Sequence, residues 1–163
     1  MKIAKKLLLV VLIACLLLQA FRPEKNKSGK KENDITTQYP MSTEVEQILV
    51  KACNDCHSNQ TNYPWYAEVQ PLGWWLADHV NDGKKHLNFN EFASYRVAKQ
   101  YHKLEECIDE VKDNAMPLES YTNIHKQAKL SEQEKTVLIN WCTMVRDSIK
   151  ARYPADSLVL KRK

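Results

Sequence analysis

Five consecutive residues, Cys53-Asn54-Asp55-Cys56-His57, spell C-x-x-C-H, the spacing that attaches a c-type haem. On a helix, positions i, i+3 and i+4 share one face, so two thiols and an imidazole point the same way. The thiols of Cys53 and Cys56 can each add to a haem vinyl group while His57 reaches the iron. Three other chemistries use parts of this pattern. A thioredoxin-like dithiol sits at a strand-to-helix turn, and no strand pattern precedes Cys53. A zinc site needs a fourth ligand and usually a second Cys or His pair. A plain structural disulfide leaves His57 without a purpose.

A c-type haem needs a second axial ligand or an open position. The candidate is Met116, in Ala115-Met116-Pro117, some sixty residues beyond His57. Class I cytochromes c carry their methionine ligand in such a loop, between the haem-binding helix and a C-terminal helix. A thioether opposite an imidazole raises the reduction potential and favours electron transfer. His79, after Trp74-Trp75-Leu76-Ala77-Asp78, is the alternative sixth ligand. His125 is open between the distal side and the surface; His86 and His102 stand among charged residues and are expected in solvent. Cys107 and Cys142 fall near apolar stripes, as buried free thiols or, in an oxidising space, as a disulfide. Trp65, Trp74, Trp75 and Trp141 are expected mostly in the core.

Positioning these residues takes helices. Thr43-Glu44-Val45-Glu46 has the form of a capping box, and Val45, Ile48, Leu49 and Ala52 mark one helical face. Pro71 opens a second segment that Gly83 is expected to close as a C-terminal cap. Asn88 or Asn90 can cap a third, in which Val97, Tyr101, Leu104, Ile108 and Val111 recur at intervals of four, three, four and three. Asn114 and Pro117 end it. Ser131-Glu132-Gln133-Glu134 is a second capping box, followed by Leu138, Trp141 and Val145 on one stripe. Two-residue alternation never runs long enough for a strand. The expectation is an all-α, class I cytochrome-c-like domain of four or five helices around one haem, spanning residues 41–150, with a C-terminal tail over 151–163.

The chain has 163 residues and a formal charge of +4. Four cations, Lys2, Lys5, Lys6 and Arg22, lie in the first 22 residues, which contain no anion, so the remainder is neutral. A neutral body lacks the basic face that nucleic-acid binding requires. Three lysines followed by the apolar run Leu7–Leu18 are what export machinery reads. The reading adopted for residues 1–22 is an uncleaved N-terminal membrane-anchor helix on the periplasmic side of the bacterial inner membrane. Its weak point is length: Leu7 to Phe21 spans about 22 Å as a helix against about 30 Å of hydrocarbon. A lipoprotein at Cys15, in Leu12-Ile13-Ala14-Cys15, and cleavage near Ala20 are the alternatives. Residues 23–40, charged and polar, read as a tether.

Several further runs carry a resemblance. Cys53–Asn59, Tyr63-Pro-Trp-Tyr66, Pro71-Leu-Gly-Trp-Trp-Leu76, Asp78-His79, Gly83, His86-Leu-Asn88 and Met116-Pro-Leu118 with Tyr121 resemble the small haem-binding domain of exported Bacteroidota proteins, a cytochrome-c-like family. The resemblance covers about residues 41–145, and the Arg22-Pro-Glu-Lys25 exit is similar as well. Where that family often has Ser-Glu-Trp, this chain has Asn90-Glu91-Phe92, an equally good helix cap. The resemblance implies a potential haem site and identifies no physiological partner. Three functions follow as expectations: a tethered monohaem cytochrome exchanging single electrons with redox partner proteins; a haem sensor or peroxidase-type enzyme with an open sixth position; or a haem-bearing interaction module.

Overall fold

The structure is a computed structural model that describes residues 2–160. Seven α-helices follow in order: α1 (Lys2–Leu18), α2 (Thr43–Ala52), α3 (Asn54–His57), α4 (Leu72–His86), α5 (Val97–Lys112), α6 (Glu119–Ile124) and α7 (Glu132–Arg152). Short 3₁₀ turns at Ile35–Thr37, Trp65–Glu68, Phe89–Ser94, Lys126–Ala128 and Ala155–Leu158 join or follow them. No strand occurs among the described residues, and the all-α expectation matches.

Helix starts follow local chemistry. Ser131 Oγ accepts from Glu134 N at 3.2 Å while Glu134 Oε2 accepts from Ser131 N at 2.8 Å, a complete capping box. At α2 the cap is Ser42, one residue earlier than expected, accepting from Val45 N. The core lies where α5 packs on α7 and α2 leans on α7. Leu104, Ile108 and Val111 meet Leu138, Trp141, Cys142, Val145 and Ile149, with Val45, Ile48, Leu49 and Phe92 closing the cluster. Each fully buried side chain of this kind stabilises by about 1.5–3 kcal/mol.

The membrane-anchor expectation is corrected. Residues 2–18 do form an apolar helix, but among the described residues no helix is long and apolar enough to cross a membrane. Seventeen residues rise about 26 Å, short of the hydrocarbon thickness, and the expected continuation to Phe21 is absent. Gln19 stops it: its side chain accepts from Gln70 N at 2.9 Å and donates to Gln70 O at 3.2 Å, tying the helix end to the body.

The segment after α1, expected as a tether, is laid along the body. Asn26 donates to Ser58 O and Thr61 Oγ1, both at 2.9 Å, and Ile35 and Tyr39 are buried in the core cluster. At the other end Leu158 packs into the same cluster; residues 161–163 of the expected tail lie outside the described residues. Of the tryptophans only Trp141 is core. Trp65, Trp74 and Trp75 are exposed, against expectation, Trp65 at 79 %.

Candidate functional site

The C-x-x-C-H run forms one tight turn. Cys53 ends α2 and begins α3, and its carbonyl accepts from Cys56 N at 3.1 Å and His57 N at 2.9 Å. The i, i+3, i+4 argument therefore survives although α2 itself stops at Ala52. The turn seats against α4 at a position that only glycine fits: a Cβ on Gly83 would stand 2.6 Å from the Cys56 carbonyl oxygen. Gly83 is thus inside α4, which runs three residues further, and is not the C-terminal cap that its residue type suggested.

His57 is oriented by its backbone surroundings. Its Nδ1–H donates to the Leu87 carbonyl at 2.9 Å, which leaves Nε2 as the atom available to a metal. Burial holds the imidazole below its usual range, countered in part by the Leu87 and Gly83 carbonyls. The neutral form is the one a metal takes. Behind the turn lies a buried knot of amides. Asn59 N donates to Asn90 Oδ1 at 2.7 Å, Asn88 Nδ2 to Asn59 Oδ1 at 2.8 Å, and Asn90 N to Asn88 Oδ1 at 3.0 Å. The knot fixes the chain on both sides of Leu87, and so fixes the acceptor of His57.

The methionine arrives by a different device. At the end of α5, Asn114 takes a left-handed conformation, φ 58°. Ala115 N bonds back to Glu110 O at 2.9 Å and Asn114 N to Val111 O at 3.3 Å, a Schellman turn with asparagine in place of the usual glycine. Met116 N bonds the same Glu110 carbonyl at 3.1 Å, and the chain then enters α6. Tyr121 of α6 donates its hydroxyl to Asp55 Oδ2 at 2.6 Å and stacks on His125, centroids 4.5 Å apart; His125 Nε2 shares a 2.8 Å hydrogen bond with the Tyr66 hydroxyl.

All five sequence-singled residues, Cys53, Cys56, His57, Met116 and His79, line one cavity of about 400 Å³, within the range of small-molecule and cofactor sites. His79 Nδ1–H donates to the Trp75 carbonyl at 2.8 Å and its ring lies 4.3 Å from that of Trp75. Sequence reasoning missed several lining residues. His86 is exposed, as expected, and also lines the cavity with His79 and Gly83; positions 79, 83 and 86 share a helical face, a signal that the surrounding lysines obscured. Lys103, Glu106 and Cys107 enter from one face of α5. His125 does not line the cavity, and His102 pairs with Glu105 at 3.3 Å.

The donor set fits a haem better than the alternatives. Burial pushes the Cys56 thiol up to about 11 and the Cys53 thiol higher still. Among the described residues no group of three His, Cys, Asp or Glu side chains is arranged to hold a metal ion. Neutral thiols beside an imidazole and a thioether, around an apolar cavity, suit a porphyrin. Cys107 and Cys142 are free thiols, Sγ atoms 3.8 Å apart, with Cys142 donating.

Neither the curated proteins nor the solved structures contain a match to the chain. A family model described as haem-binding domain matches residues 13–144, which takes in the polar segment after α1 as well as the cavity. The chain belongs to that family of haem-binding domains.

Proposed function

We propose that this haem-binding domain carries one haem c, held through thioethers from Cys53 and Cys56, with His57 and Met116 as iron ligands, and that it exchanges single electrons with redox partner proteins. The observation that carries the reading is the C-x-x-C-H turn itself: two neutral thiols and an imidazole with Nε2 free, at the edge of a cavity that Met116 also lines. Bound there, the haem supplies one-electron exchange between ferric and ferrous iron. Cys53 and Cys56 would hold the group through carbon–sulfur bonds, each made by addition of S–H across a vinyl double bond, a chemistry that would consume no oxidant. The Leu87 carbonyl and the Asn59–Asn88–Asn90 knot hold His57 in one orientation, which lowers the rearrangement accompanying a change of iron charge. Leu118, Phe89 and Val111 contribute apolar surface to the cavity. The leader's cations and apolar run support export of the body to the compartment where attachment takes place.

Production of the full chain with and without a working haem-attachment system tests this directly. The expected product is coloured, carries the added mass of one haem, and loses both when Cys53 and Cys56 are changed to alanine. The oxidised protein is expected to show the weak long-wavelength methionine-to-iron band, lost in Met116→Ala. A colourless product of unmodified mass overturns covalent attachment. Rapid carbon monoxide binding by the untreated ferrous protein overturns the methionine ligand in favour of an open sixth position. A second reading rests on His79, which lines the same cavity with Nδ1 already bonded; retention of a six-coordinate spectrum without that band, abolished by His79→Ala, marks it.

A further inference from the structure

The attachment turn and the methionine loop belong to separate stretches of chain, and one side-chain hydrogen bond joins them. Asp55 lies between the two cysteines of C-x-x-C-H. Its Oδ1 accepts from Asn62 N at 3.0 Å, which fixes the carboxylate to its own loop, while its Oδ2 accepts from the Tyr121 hydroxyl at 2.6 Å. Tyr121 is five residues beyond Met116, in the first turns of a six-residue helix with no buried residue of its own. Its amide bonds Leu118 O at 3.0 Å, so the Met116–Leu118 segment and the tyrosine move as one piece. On its other face Tyr121 stacks on His125, which Tyr66 holds from the η-turn preceding α4. α6 packs mainly on the short turn that follows it. The tyrosine therefore supplies much of what joins the methionine loop to the rest of the site.

We propose that Tyr121 is a positioning residue, which through Asp55 holds the Met116 loop against the attachment turn and so keeps the methionine at the cavity. This rests on the reading of Met116 as a ligand, and it assigns to the third residue of C-x-x-C-H a role that the motif leaves unspecified. A hydroxyl bound to a charged carboxylate is among the stronger neutral-donor bonds, and at a half-buried site its loss changes a local equilibrium by about tenfold. Without it the loop keeps the Schellman turn at Asn114, the Met116 N–Glu110 O bond and the ring stack on His125, and loses its direct tie to the attachment turn.

Amide hydrogen exchange on the full chain, wild type against Tyr121→Phe, provides the test. The expected result is about tenfold faster exchange over residues 115–122, with α2 and α7 unchanged; Asp55→Asn, which can still accept from the hydroxyl, is expected to fall between. Unchanged exchange over 115–122 overturns the proposal, as does equal acceleration throughout the chain, which marks general destabilisation. In the haem-loaded protein, exogenous imidazole is expected to abolish the methionine-to-iron band of Tyr121→Phe at about tenfold lower concentration than in wild type, with thioether attachment intact. An identical imidazole requirement overturns the role. A wild-type protein lacking the band defeats the ligand reading by itself, and the exchange result then still decides whether Tyr121 holds the loop.

Discussion

On the side of the cavity that presents His57, every neighbour is specified: Gly83 is pressed against the Cys56 backbone, Leu87 receives the imidazole N–H, and three buried asparagines knot the flanking chain. On the side that presents Met116, a half-exposed loop hangs between the end of α5 and a six-residue helix, held by backbone bonds to the end of α5, a contact from Lys135 to Asn114 and the Tyr121–Asp55 bond. The difference separates two tasks. Under the ligation proposed above, His57 would meet the metal from packed backbone, where misplacement is costly. Met116 would close over the group from a segment with few buried contacts, drawn from the less stable end of the molecule.

Substitutions on the two sides are expected to differ accordingly. Gly83→Val drives a branched side chain into the Cys56 backbone and is expected to cost about 3 kcal/mol by overpacking, read from denaturant titration, together with loss of haem attachment read by mass. A fully stable Gly83→Val protein would show that α4 does not press on the turn. Asn90→Ala removes the acceptor of the buried Asn59 N–H and is expected to cost about 2 kcal/mol while leaving the helical circular dichroism unchanged below the transition. On the methionine side, Asn114→Ala places a side chain with no local hydrogen bond in the left-handed region, for about 1 to 2 kcal/mol, and Asn114→Gly is expected to recover it. Met116→Leu keeps volume and polarity, so its cost is expected below about 1 kcal/mol while the methionine-to-iron band disappears. A Met116→Leu effect as large as that of Gly83→Val would erase the distinction between the two sides.

How far the site could be read in advance depends on the range of the interaction. The capping box at Ser131, the four-three-four-three apolar spacing of α5 and the stop at Asn114 are contacts within four or five residues, and the structure has them where the pattern put them. The C-x-x-C-H turn is equally local. Gly83 was misread because glycine's freedom at a helix end and its smallness at a close approach look identical in one chain; the neighbour that decides between them is 27 residues away. The polar segment after α1 was misread for a related reason. Composition counts few apolar residues there, yet Ile35 and Tyr39 enter the core and Asn26 finds loop carbonyl and hydroxyl partners around residue 60.

The amino-acid order by itself determined the apolar stripes of the longer helices, the capping box at Ser131 and the spacing of one pentapeptide, because helix periodicity and thiol–imidazole spacing act over a few residues. Tertiary structure alone decided that the leading helix ends at Leu18, that three tryptophans face outward, and that Met116, His79 and His86 share a cavity with His57. Those outcomes depend on which distant segments pack together. A backbone carbonyl, an amide or a glycine face that completes such a contact leaves no mark in the residues beside it.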